Sequence, residues 1–241
     1  MELLKSLYQI NAKSGHEAQL IEFILPLLKE TEAKVTLDAM GNLYIIKGIA
    51  DKYPCVAAHL DEVHLPSVRN VKEENGMIYA VDENGSQVGV GADDKNGIWM
   101  IVKLLRMVDA LKVALFVQEE KDGERSGCRG SNACDLSFFD DCKYILEFDR
   151  KGCGDWVTYS EKAATRLCDD DFIPNEILRK YEYKQVNGGK TDVTALRMRG
   201  LSIPCCNISC GYYNAHHNDE YTLFPDLLNA LAFVKELIKT L

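Results

Sequence analysis

Four short apolar runs in this chain each lead to a side chain suited to a metal ion. Cys55-Val56-Ala57-Ala58 leads into His59-Leu60-Asp61, and residues 113–117 into Glu119-Glu120. Tyr144-Ile145-Leu146 leads into Asp149, and residues 203–209 into a short loop before His216. Apolar runs of this length, bounded by polar positions, predict buried strands. Helical periodicities lie between them. Ser14-x-x-Glu17 reads as a capping box before a stripe at Leu20, Ile21, Phe23, Ile24, Leu27 and Leu28, with a bend expected at Pro26. Residues 94–108 place Ile98, Ile101, Val102, Leu104 and Leu105 at helical spacing. A last helix is expected to start near Pro225, which suits a first helical turn. Two hairpins are predicted. One joins 34–37 to 43–47 around Met40-Gly41-Asn42, and one surrounds 77–81 between Asn75-Gly76 and Asn84-Gly85.

Strands mixed with helices predict an α/β class, here a three-layer α/β/α domain with a central mixed sheet. No Pro/Ser-rich linker, repeat or low-complexity tract divides residues 1–241, so one domain is expected. The net charge is −9, from 28 basic and 37 acidic side chains. That balance, without a basic cluster, argues against nucleic acid and against an anionic membrane surface as partners. No apolar stretch approaches the ~20 residues of a spanning helix, and Met1 to Lys5 carries no signal core. A cytoplasmic location is expected, with the nine cysteines as reduced thiols. Cys55, Cys205 and Cys206 lie in apolar runs, where a thiol serves as a small hydrophobe.

Open α/β sheets place ligands outside the carboxyl ends of their strands, so the polar residues at those ends carry the chemistry. His59 and Asp61 are two apart and share a face, so Asp61 is expected to orient the imidazole. The competing reading is a capped strand end with a solvated Asp. Asp93 follows Gly89 and Gly91, which let the chain turn tightly. Its two oxygens could bridge metals ~3.5–4 Å apart. The competing reading makes Asp93 a helix N-cap and Asp94 a first-turn acid. Glu119 and Glu120 are adjacent carboxylates, costly to bury without a positive partner. Pointing to opposite sides, one could bind metal while the other acts as general base. The alternative is a solvated acidic loop continuing through Arg125. Glu147 competes with Asp149, since it faces the same side of its strand. His216 and His217 are the best-placed second histidines, whereas His16 and His64 read as surface residues. Gly188-Gly189-Lys190-Thr191 fails as a phosphate loop, because Lys184 stands where the first glycine is required. Thr191 or Asp192 reads instead as a helix start.

Taken in order, these pieces resemble the di-zinc exopeptidase superfamily of tripeptidase T, the carboxypeptidase-like amidohydrolases and the single-domain zinc aminopeptidases. The matching segments are Ala58-His59-Leu60-Asp61, Gly91-Ala92-Asp93-Asp94-Lys95-Asn96-Gly97, Glu119-Glu120, Phe148-Asp149-Arg150-Lys151-Gly152, and His216 with Glu220 four residues on. The similarity runs over nearly the whole chain. It implies His59, Asp93, Glu120, Asp149 and His216 as ligands of two divalent ions, expected to be Zn2+, with Asp93 bridging. It implies Glu119 as general base toward a metal-activated water, and Asp61 as the acid behind His59. The implied activity is zinc-dependent exopeptidase action on short peptides, as an aminopeptidase. An N-acyl amino acid deacylase, a glutaminyl cyclase and a non-catalytic metal-binding protein are the alternatives. Tyr212 or Tyr213 is a candidate to hold the oxyanion. Tripeptidase T-like enzymes carry an inserted lid or dimerisation domain; the intervals 61–93 and 149–216 leave no room for one. An open cleft is therefore expected, reading the peptide end nearest the metals and indifferent to the far carboxyl end. A monomer and a homo-oligomer both fit.

Overall fold

The computed structural model describes residues 1–124 and 126–241. Helix α1 (Glu2–Gln9) buries Leu4, Leu7 and Tyr8 and lies outside the elements predicted from sequence. Helix α2 (Ala18–Lys29) contains Pro26 and buries Leu20, Ile24 and Leu28. The capping box before it is not formed. Glu17 accepts instead from the amides of Gly15 (2.9 Å) and Gln118 (3.2 Å), and the Ser14 hydroxyl donates to the Glu120 carbonyl (3.4 Å). Both side chains are taken by a distant loop with unpaired backbone groups of its own.

Strands β1 (Lys34–Leu37) and β2 (Leu43–Lys47) form the first predicted hairpin, with Val35 opposite Ile45. Strand β3 (Tyr53–His59) is buried throughout. Strands β4 (Asn70–Glu74), β5 (Met77–Val81) and β6 (Gln87–Val88) follow, then helix α3 (Ala92–Leu105). Next come β7 (Leu111–Phe116), α4 (Arg129–Ala133), β8 (Cys142–Arg150), β9 (Asp155–Ser160) and β10 (Thr165–Arg166). The chain continues through α5 (Asn175–Lys180), β11 (Lys184–Gly188), α6 (Asp192–Met198) and β12 (Cys205–Ser209). It ends with β13 (Tyr212–Tyr213), β14 (Tyr221–Leu223) and α7 (Phe224–Thr240).

The central sheet has the order β1-β2-β7-β3-β8-β12-β9-β10, with β11 paired to β9. Strands β7, β3, β8 and β12 are parallel neighbours; β2 and β9 join this block antiparallel, so the sheet is mixed. Parallel pairs need crossover connections, and those cover both faces with helices. Alternate residues of β3 then serve opposite cores. Val56 and Ala58 pack with α1, α2, α3 and α7, while Cys55 and Ala57 pack with Val193 and Leu196 of α6. This is the expected three-layer α/β/α arrangement.

A second, antiparallel sheet runs β13-β14-β5-β4, with β6 on β5. The sequence predicted the hairpin around β5 but not this sheet. Its closing pair, Thr222 opposite Ile78, joins segments far apart in sequence. Among the described residues, no helix is long and apolar enough to cross a membrane. The nine cysteines are unpaired, and Cys153 is the exposed one.

Candidate metal centre

His59 ends β3. Its Nδ1 faces the Asp61 carbonyl at 3.0 Å, which turns Nε2 toward Asp93 Oδ1 (3.0 Å) and Asp149 Oδ1 (3.7 Å). The Asp61 main chain is thus the hydrogen-bond acceptor, with the carboxylate expected from sequence beside it. That carboxylate stands 3.6 Å from Nδ1 and accepts from the amides of Glu119 (2.8 Å) and Glu120 (3.0 Å). These amides lie past the end of β7 and have no strand partner there, so a buried acceptor is required.

Asp93 and Asp94 sit at the entrance of α3 with non-helical dihedrals, and the peptide bond between them is cis. The N-cap role falls on Asp94, whose Oδ1 accepts from the Gly97 amide at 3.0 Å; its Oδ2 accepts from the His59 amide at 3.2 Å. Asp93 is left free to face the site. Its own amide and that of Gly91 donate to Glu220, at 3.1 and 2.6 Å. Gly91 has a φ of +68°, and a Cβ there would fall 1.8 Å from Glu62 Oε2. Glu62 is itself buried between Lys95 (2.8 Å) and Arg69 (3.0 Å). His64, read as a surface histidine from sequence, lies against Gly89 and bonds Glu220 Oε2 at 3.0 Å. Sequence reasoning gave Glu220 only a spacing role and missed Glu62; each is a carboxylate close to the predicted ligands in sequence.

Glu119 and Glu120 separate as their adjacency predicts. Glu120 Oε1 meets His216 Nε2 at 2.7 Å, whereas Glu119 Oε1 accepts from the Cys128 thiol at 3.1 Å. The Cys128 amide also donates to the Glu119 carbonyl at 2.7 Å. Cys128 had no signal in the sequence beyond its apolar class. Arg125, the end of the alternative acidic-loop reading, lies outside the described residues. Near the end of β8, Asp149 Oδ1 accepts from the Tyr212 hydroxyl at 3.2 Å. Glu147, on the same side of the strand, accepts from the Thr191 hydroxyl (2.5 Å) and the Val193 amide (3.2 Å) at the start of α6. The helix claims it, and only Asp149 reaches the cluster. The Tyr213 hydroxyl donates to Asp226, away from Asp149.

His216 has a φ of +70° in the loop joining β13 to β14, and its side chain is 50% exposed. Its Nε2 is 3.3 Å from Asp93 Oδ2. His217 is exposed and does not join the cluster.

Two of the groupings of ligand-type atoms are His59, Asp93, Asp149 and Asp93, Glu120, His216. Asp93 belongs to both, with Oδ1 toward His59 and Oδ2 toward His216. Imidazole nitrogen and carboxylate oxygen suit zinc, so the donor set fits a pair of such ions. A third grouping, His59, Glu119 and Glu120, brings Glu119 to the same place.

The charges are mutually dependent. Burial pulls the His59 imidazole down, but Asp149, Asp61 and Asp93 outweigh it and hold its pKa well above the usual value. Hydrogen bonds donated to Asp93 and Glu120 lift His216 to about 10 against partial burial. Burial pushes Asp93 up, and the two imidazoles overcome it, leaving Asp93 below the carboxylate range. Burial and the neighbouring Asp149 charge raise Glu119 well above its ordinary value.

No family model matches the chain. A LysW-lysine/LysW-ornithine hydrolase of Pyrobaculum aerophilum is 34% identical over 90 residues, which is 36% of this chain and 26% of that protein. The match thus spans about a quarter of that relative's length. The crystal structure of aminopeptidase PepT from Bacillus cereus aligns with a TM-score of 0.82 at 14% identity, covering 99% of this chain and 96% of that one. A tripeptidase from Staphylococcus aureus aligns with a TM-score of 0.77 at 15% identity, covering 98% and 96%. The chain has the fold of these two peptide-cleaving enzymes.

Proposed function

We propose that this protein is a zinc-dependent exopeptidase that removes amino-terminal residues from short peptides, with residues 1–241 acting as one catalytic domain without an inserted lid. The observation that carries the reading is Asp93, whose two oxygens face two separate ligand groups. A lone structural metal has no use for such a shared carboxylate. The likeness to an aminopeptidase and a tripeptidase in fold supports the same reading.

His59, Asp93 and Asp149 would hold one ion, and Asp93, Glu120 and His216 the other. Zinc held there would supply Lewis acidity, lowering the pKa of a water and polarising the scissile carbonyl. Glu119 takes a proton from the attacking water and returns it to the leaving amine. The Asp61 carboxylate fixes the backbone of both glutamates, and the Cys128 thiol fixes one oxygen of Glu119. Of the two tyrosines considered for the oxyanion, Tyr212 is the one whose hydroxyl reaches the ligand cluster, at Asp149, and it would have to turn from that carboxylate to serve the oxyanion. Carboxylates beside the reacting carbonyl would accept charge-assisted hydrogen bonds from a free α-amine.

The test joins metal analysis of zinc-replenished protein to cleavage of a tetrapeptide and its N-acetylated form. Close to two equivalents of zinc and loss of cleavage on acetylation are expected. A reproducible metal content near zero would overturn the proposal, and release of the acetyl group alone would make the enzyme a deacylase.

A further inference from the structure

The cavity at the ligand cluster has a volume of about 580 Å³, and its wall is not uniformly acidic. Lys151, Lys162 and Lys190 line it together with Asp93, Glu120, Asp149 and His216. The lysines come from three separate segments. Lys151 follows β8, Lys162 lies in the turn between β9 and β10, and Lys190 lies between β11 and α6. The ion pairs nearby use other cations, namely Lys13 with Asp122, Arg150 with Asp155, and Lys184 with Asp155. Among the described residues, neither these three lysines nor Lys121, which also lines the cavity, forms an ion pair. They stand unpaired in a chain whose net charge is −9. Lysines serving only to offset the ligand carboxylates would lie against them, and these do not.

In the central sheet β9 lies two strands beyond β8 and runs antiparallel to β12, and β11 pairs with β9. Lys162 follows the end of β9 that points away from Asp149, so the cavity wall extends along the strands as well as across them. Val157 and Leu167 line the same cavity and are buried apolar residues. A short peptide held at the ligand cluster would therefore pass apolar wall and meet unpaired ammonium groups. A carboxylate is the peptide group that matches them.

We propose that Lys162 and Lys190, with Lys151, form a carboxylate-binding wall that selects peptides carrying a second negative group. This deepens the exopeptidase reading and rests on it. It also revises the sequence expectation of an open cleft indifferent to the far end of the peptide. The carboxylate has two sources, the carboxyl terminus of a very short peptide or an acidic side chain.

The experiment separates them. Leu-Gly is compared with Leu-Gly-NH2, and Glu-Gly-NH2 with Gln-Gly-NH2, on zinc-loaded wild type and on the Lys162→Glu/Lys190→Glu double variant. Both lysines are exposed, and thermal unfolding checks that the variant folds. In the wild type, kcat/KM is expected to favour the carboxylate-bearing member of at least one pair by about tenfold, the worth of one charge-assisted contact. The favoured pair identifies the source. In the double variant that ratio should fall to one or below, mainly through KM. Ratios near one for both pairs in the wild type, or a ratio the variant leaves unchanged, overturn the proposal. Failure to cleave any of the four peptides would defeat the exopeptidase reading instead. Calorimetric titration of chelator-treated protein with the same two pairs then reads the wall without turnover. Binding that prefers the carboxylate in the wild type and loses the preference in the variant supports the wall. Equal binding, or none, overturns it.

Discussion

Removing Glu220 should damage the centre without touching a ligand. This carboxylate is fully buried and accepts from the Gly91 amide (2.6 Å), the Asp93 amide (3.1 Å) and His64 (3.0 Å). Glu220→Ala leaves two backbone N–H groups and an imidazole without their acceptor. Each orphaned buried group costs roughly 1–3 kcal/mol, so the two amides alone imply about 2–6 kcal/mol. Glu220→Gln keeps the volume and one acceptor oxygen, but turns an NH2 toward a second donor; about 1–3 kcal/mol is expected. Urea unfolding of chelator-treated protein measures this apart from metal loss. Zinc titration of the folded variants then reads the consequence for the site. Because Asp93 belongs to both ligand groups, both ions should weaken together, by roughly 10–100-fold as for other supporting partners. A Glu220→Ala protein within ~0.5 kcal/mol of wild type, or one that loses a single ion, would refute the reasoning.

Three further outcomes are expected. Glu119→Gln should keep both ions and lose turnover by roughly 10²–10⁴-fold, the usual worth of a general base, whereas Glu120→Gln should lose metal as well; metal analysis beside kcat distinguishes them. His216→Ala should weaken zinc binding far more than His217→Ala, and the reverse order in a zinc titration would move the ligand to His217. Zinc binding should release protons near pH 7, because His59 sits well above its ordinary pKa and His216 near 10 in the metal-free protein. Calorimetry in buffers of different ionisation enthalpy reads that release, and apparent affinity should rise with pH. The same shift has a stability signature without metal. His216 is raised in the folded state, so its contribution is complete below the unfolded value of about 6.5 and fades as pH rises through about 10.

The strands were legible wherever burial imposed its own pattern. The first hairpin, the β5 segment and the ligand-bearing strands follow from apolar runs and turn residues, which are local quantities. The capping box failed because Ser14 and Glu17 answered to backbone groups at Glu120 and Gln118 instead of their own helix. Parity could not separate Glu147 from Asp149; the start of α6 decided it, and that helix arrives from another part of the chain. His64 looked like a surface residue because Glu220, its partner, is remote in sequence. The cavity lysines were individually unremarkable surface charges until the fold gathered them.

His216 differs from the other candidate ligands in its support. It hangs between β13 and β14 of the small sheet, whereas His59, Asp149 and the Glu119-Glu120 loop belong to the central one. Zinc bridging these sheets would act as a rivet, so part of its binding energy would go into holding one sheet against the other. Damage far from any ligand, such as a weakened β4–β5 ribbon, should then surface in the laboratory as poor zinc retention. A screen for zinc-deficient variants would recover such remote changes alongside the ligands themselves.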